Sequence, residues 1–123
     1  VFIALSPESP DPMYRQLTDQ IKQAIAVGDV EPGEKLPSIR ELSKALEISV
    51  ITTKRAYLDL ETDGYIVTRP GLGSFVAEVN RERLRAEKLR SFGDELVRMM
   101  ATGRKYGISR HDIAELLDRI EGE

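Results

Sequence analysis

The serines at positions 38 and 49 constrain this chain more than any other feature. Each stands directly before an apolar residue at the head of a helical pattern. A serine hydroxyl placed there accepts one of the backbone N–H groups that a first helical turn leaves free. Glu41 follows Ser38 by three residues, which is the reciprocal capping-box pattern. Ile39, Leu42 and Leu46 form the buried face of a short helix that runs to about Leu46. Only Glu47-Ile48 is left as a bridge before Ser49 opens a second helix, which runs to Asp63-Gly64. Two short helices joined by so tight a turn form a helix-turn-helix.

After Gly64 the hydrophobic period changes. Tyr65–Arg69 is alternating and β-branched, Pro70-Gly71-Leu72-Gly73 is a turn, and Ser74–Ala77 is a second strand. The pair reads as a β-hairpin, and a hairpin directly after a helix-turn-helix makes a winged helix. Upstream, Asp11 is the expected N-cap of a first helix, with Pro12 at its first position. Tyr14, Leu17, Ile21, Ala24 and Ile25 give that helix one core-facing stripe, and Gly28 ends it. Pro32-Gly33 suits a type II turn.

From about Asn80 the character shifts. Arg81 to Arg90 is dense in charge, and Leu84, Leu89, Phe92, Leu96, Met99 and Met100 form an apolar stripe. Gly93 weakens that helix slightly; Gly103 and Gly107 mark its end and a loop. Ser109 and Asp112 form another capping box, followed by Ile113, Leu116, Leu117 and Ile120 at helical spacing. The expected architecture is mainly α with a small β-hairpin wing: a winged helix-turn-helix domain at 10–79 and a two-helix tail at 80–123.

Composition narrows the functions. The 123 residues are 41% hydrophobic and 32% charged, a soluble globular balance. No run is apolar enough to cross a bilayer, and the opening VFIALSPESP lacks the basic n-region of a secretory signal. With no cysteine, disulfides and thiolate chemistry are excluded, which fits a cytoplasmic location. The only histidine, His111, sits beside Asp112 at a helix start and reads as part of a solvated capping turn. No phosphate loop and no metal-ligand spacing stand out. An enzyme, a cofactor and a metal are therefore not expected.

The helix after Ser49 carries the functional argument. At ~100° per residue, Thr53, Ala56, Tyr57 and Leu60 fall on one side and face the core. Ile51, Thr52 and Arg55 fall opposite, with Lys54 on a flank and Ser49 and Val50 in the first turn. That outward face combines hydroxyls, methyls and cations. Hydroxyls bond phosphates or base edges, and methyls pack on the thymine C5-methyl. Cations neutralise phosphates and release counterions. Arg40 in the preceding helix, and Arg69 beside the glycine-rich wing tip with Gly71, extend the same surface; Ser38 is chiefly a cap. Net charge is −3, with 18 Lys+Arg against 21 Asp+Glu, so any nucleic-acid footprint has to be a local cluster.

The stretch LPSIRELSKALEISVITTKRAYLDLETDGYIVTRPGLGSFV resembles the winged-helix domain of GntR-type bacterial transcription regulators. The likeness covers about residues 10–79, beginning with PMYRQL. It rests on LPS-x-R-EL, IS-x-x-T-x-x-A-Y-x-x-L-E-x-x-GY and R-x-G-x-G-x-FV, in order and at the right separations. The short tail is similar to the YtrA-type branch. The resemblance implies a transcription regulator that binds a palindromic DNA operator as a homodimer formed through the tail; repressor is the default over activator only because blocking a promoter needs no further contact. Arg40, Ser49, Thr52, Lys54, Arg69 and Gly71 match the family's DNA-contact positions. Two positions depart: many members carry Arg directly after the Ser, where it reads guanine, and this chain has Val50. Leu72 stands where a basic or polar wing residue is common. Val50 and Ile51 are therefore expected on thymine methyls.

The tail stripe offers Leu89, Phe92, Leu96, Met99, Ile113, Leu116, Leu117 and Ile120 for an isologous two-fold interface. Dimer symmetry would set two recognition helices on half-sites about 34–36 Å apart or a multiple. A compact monomer with an intramolecular cap is the opposing arrangement. An unidentified small-molecule effector is a further candidate partner, with Phe92, Met99, Met100 or Tyr106 as lining. The main alternative function is a winged helix that docks a partner protein through the Val50/Ile51 face.

Overall fold

The computed structural model describes residues 3–122. Its elements run α1 (Met13–Val27), α2 (Ile39–Leu46), α3 (Val50–Thr62), β1 (Ile66–Arg69), β2 (Gly73–Val76), α4 (Arg81–Lys105) and α5 (Arg110–Glu121). The chain forms two compact units that meet inside α4, one ending at Leu84 and the other starting at Arg85.

The first unit holds the core. Leu17, Ile21, Ala24 and Ile25 of α1 are buried at their helical spacing, with Leu42 of α2 and Ala56, Tyr57 and Leu60 of α3. Ile66, Val76, Val30 and Leu36 complete it. Each large apolar side chain fully buried here is worth roughly 1.5–3 kcal/mol, against about 1 kcal/mol for a typical helix cap, so together these residues fix how the three helices stack.

Three details differ from expectation. Asp11 does not cap α1: the helix begins at Met13 after Pro12, whose carbonyl accepts from the Arg15 and Gln16 N–H groups at 3.1 Å, and no side chain caps it. Gln16 binds the Asp11 carbonyl instead (2.8 Å). β1 starts one residue later than expected and β2 lies one residue earlier, with Ile66 paired to Val76 and Arg69 to Gly73, although the Ala77 N–H still reaches the Tyr65 carbonyl at 2.9 Å. Gly103 does not end α4. The helix passes through it to Lys105, and Gly107, at φ +76°, makes the stop. There the Ile108 N–H returns to the Gly103 carbonyl (3.0 Å) and the Gly107 N–H to that of Arg104 (3.1 Å), a Schellman closure.

The segment before α2 adds to the hairpin. Leu36 N–H donates to the Ser74 carbonyl (2.9 Å), Gly33 N–H to Val76 (2.7 Å), and Val76 N–H to Glu34 (2.9 Å). Residues 33–36 thus serve as a partial third strand beside β2, bridged at Lys35 and Phe75. The type II turn over Pro32-Gly33 forms as expected, with Gly33 at φ +85° and the Glu34 N–H on the Glu31 carbonyl.

In the second unit α5 is opened by its capping box, Ser109 with Asp112. Among the described residues, neither α4 nor α5 contains a buried one. Leu89, Phe92, Met99, Leu116, Leu117 and Ile120 all stand exposed. Ile113 is half-buried. The tail helices do not bury their own stripes.

Candidate nucleic-acid interface

The turn between α2 and α3 is held from beneath. The Ser43 hydroxyl donates to the Thr53 hydroxyl at 2.8 Å, and Thr53 donates on to the Ser49 carbonyl at 3.4 Å. Both side chains are buried. An unpaired buried hydroxyl costs about 1–3 kcal/mol, so this relay favours one angle between the helices. Glu47 carries the chain through the turn in the left-handed region, at φ 57° and ψ 44°. From the other side the Tyr57 hydroxyl donates to the Pro37 carbonyl at 2.7 Å, tying α3 to the loop that leads into α2. Burial pushes the Tyr57 phenol up to about 12, with the Glu41 charge adding to the effect. It stays a neutral donor throughout the physiological range.

On that base the outward residues are presented. Thr53, Ala56, Tyr57 and Leu60 are buried, as the helical spacing predicts. Ser49 caps α3, its Oγ accepting from the Thr52 N–H at 3.0 Å and lying 2.8 Å from Thr52 Oγ1. Val50 is exposed, and Ile51 is 81% exposed. An isoleucine so far out has nothing of the winged unit to pack against, which excludes it as a core residue of that unit. Lys54 and Arg55 are exposed one turn further on, and Arg40 is exposed in the first turn of α2. Ser49 to Arg55 therefore occupy about two turns of one helix end. Ser38 is engaged in its capping box: its Oγ accepts from the Glu41 N–H, and its own N–H reaches the Glu41 carboxylate, both at 3.0 Å. That backbone N–H, the hydroxyl and Lys35 together hold the Glu41 carboxyl below the usual range.

The wing supplies the separate group. Arg69 ends β1, its guanidinium 5.2 Å from the Phe75 ring centre. Gly71 turns at φ +77°, and Leu72 stands 62% exposed at the tip. The Thr68 hydroxyl donates to the Glu61 carboxylate and so anchors β1 to α3. Two residues escaped the sequence reading. Lys35 lays its side chain across Gly73, where an added Cβ would lie 3.0 Å from Lys35 Cε. That places a cation beside the hairpin, a proximity created by the strand-like 33–36 segment and invisible to spacing. Tyr14 was expected wholly within the core stripe. It is half-buried, with the Arg55 guanidinium stacked 3.8 Å from its ring centre.

Residues 13–76 match the family of bacterial regulatory proteins named gntR. The chain belongs to the GntR family. Over 121 residues it is 29% identical to the HTH-type transcriptional repressor YtrA of Bacillus subtilis (strain 168), covering 98% of this chain and 93% of that protein. A GntR family transcriptional regulator from Listeria monocytogenes has the same fold, with a TM-score of 0.75 at 30% identity over 91% of this chain and 97% of that one. The AraR DNA-binding domain in complex with operator ORX1 aligns with a TM-score of 0.54 at 32% identity, over 60% and 92% of the two chains. This GntR chain is a DNA-binding transcriptional regulator. Among its described residues no group of three or more His, Cys, Asp or Glu side chains could hold a metal ion. Nor, among the described residues, is any helix long and apolar enough to cross a membrane.

Proposed function

We propose that this GntR regulator is a cytoplasmic repressor that grips a palindromic operator as a homodimer. Residues 10–79 form the DNA-binding domain and 80–123 the dimerisation region. The observation that carries the reading is the tip of α3, where exposed Val50 and Ile51 adjoin exposed Lys54 and Arg55. The methyls serve thymine and the cations serve phosphates. Ser49, Thr52, Arg40 and Ser38 add backbone contacts around the groove, and Arg69 and Gly71 bring the wing against a neighbouring strand. Support for the dimer comes from the tail, whose Leu89, Phe92, Leu96, Met99, Leu116, Leu117 and Ile120 stand exposed with Ile113 half-covered. A second copy of the same surface would cover them. Likeness over nearly the full length of the YtrA repressor supports the regulatory sense.

Binding-site selection from random duplexes tests the reading. The expected result is an inverted repeat with thymines facing the α3 tip, bound with a steep inverse dependence on salt. Replacing Arg40, Lys54 and Arg55 together by neutral residues should flatten that dependence by about three units of slope. Selected sites without two-fold symmetry and without thymine, or a folded triple variant with unchanged affinity, would overturn it.

A further inference from the structure

Arg55 has two candidate partners within reach of its helix. One is Asp59, one turn along α3. The other is the Tyr14 ring of α1, and the guanidinium lies on that ring at 3.8 Å. Tyr14 and Asp59 both line a polar groove of about 230 Å³ between α1 and α3, together with Asp19 and Asp63. Asp63 is already paired with Lys22 at 2.8 Å. No hydrogen bond or ion pair engages Arg55 among the described residues.

The difference between those partners matters. A carboxylate would occupy the N–H edge of the guanidinium and cancel its charge. An aromatic ring contacts only the face, so the in-plane N–H donors and the full charge stay available. It also holds a long, rotamer-rich side chain in one place, and immobilising such a side chain is a recurring cost of binding. Arg55 lies on the outward face, three and four residues from Thr52 and Ile51.

We propose that Tyr14 is a positioning residue for DNA binding: its ring seats Arg55, keeps it off Asp59, and presents its N–H edge to a backbone phosphate. This rests on the reading that Arg55 faces DNA. It adds that a residue of α1, outside the helix-turn-helix, sets part of the affinity.

The test uses the full chain and a duplex selected from random sequence with the wild-type protein. Affinity is measured across a salt series for Arg55→Met, Tyr14→Leu, Tyr14→Phe and the Tyr14→Leu/Arg55→Met double variant, each checked for folding by thermal melting. Arg55→Met should lower the salt slope by about one. Tyr14→Leu should weaken binding roughly three- to tenfold, while Tyr14→Phe, which keeps the ring, stays within about twofold. The double variant should be no weaker than Arg55→Met alone, because the seat has no use without its occupant. Tyr14→Met replaces Tyr14→Leu if the latter does not fold. An unchanged salt slope in Arg55→Met overturns the reading of Arg55 and the seat with it. A lowered slope in Arg55→Met, with a ring-less Tyr14 variant at wild-type affinity or with losses that multiply in the double variant, overturns the seat alone.

Discussion

The hydroxyl of Tyr57 joins two parts of the winged domain, because its ring is buried in α3 while its oxygen reaches the Pro37 carbonyl. Its ionisation should be visible in stability. The folded phenol is raised to about 12, first by burial and then by Glu41, whereas an unfolded tyrosine ionises near 10. The folded state keeps the proton longer, so this contribution is complete below about pH 10 and disappears as pH climbs towards 12. Denaturant titrations across that range should show wild type losing stability with a steeper slope than Tyr57→Phe. At neutral pH the Phe variant should be weaker by about 1 kcal/mol for the lost hydrogen bond. Equal slopes for the two proteins would remove Tyr57 as the cause. The spacing of apolar residues was enough to place this ring in the core, since burial follows a helical period. Its hydrogen bond to a residue twenty positions away was not readable, because Pro37 carries no side-chain signal that it will accept one. Tyr14 and Arg55 are a second such case, two helices apart in sequence and stacked in space.

Elements were easier to read than contacts. Ser38, Ser49 and Ser109 each accept a backbone N–H at a helix start, so local chemistry set those boundaries. The exceptions came where neighbours took over. The Asp11 side chain makes no cap bond and α1 opens after Pro12, while α4 continued through Gly103, which is not at positive φ, to the stop at Gly107. The turn of the helix-turn-helix shows a cost the sequence hides. Glu47 is the only non-glycine at positive φ among the described residues. A side chain there crowds the following carbonyl by roughly 1–2 kcal/mol, while glycine carries an unfolded-chain penalty of about 0.5–1 kcal/mol. Glu47→Gly should therefore gain a few tenths to about 1 kcal/mol. Glu47→Val, β-branched and ill-suited to that region, should lose about 1 kcal/mol or more. Chemical denaturation checks both. Loss of stability in the glycine variant would mean that the Glu47 side chain makes up for its backbone.

At the scale of the whole molecule, the winged unit has a buried core and the tail, among the described residues, has none of its own. Phe92, at 58% exposure, and Leu117, at 51%, are the sharpest probes of what the tail does. If the proposed dimer forms through the tail, Phe92→Asp or Leu117→Asp should shift sedimentation from a dimer to a monomer with the winged unit still folded. Operator affinity should fall at least tenfold as two-point attachment is lost. A variant that still sediments as a dimer would move the interface elsewhere. Nothing in the sequence alone distinguished a tail that folds on itself from one that does not, since both need the same stripe; the bareness of both helices is what separates them. That bareness carries a thermal consequence. Attraction between hydrocarbon surfaces in water fades on cooling, so two tails pressed together by methyl, methylene and ring carbon would hold each other less tightly on chilling.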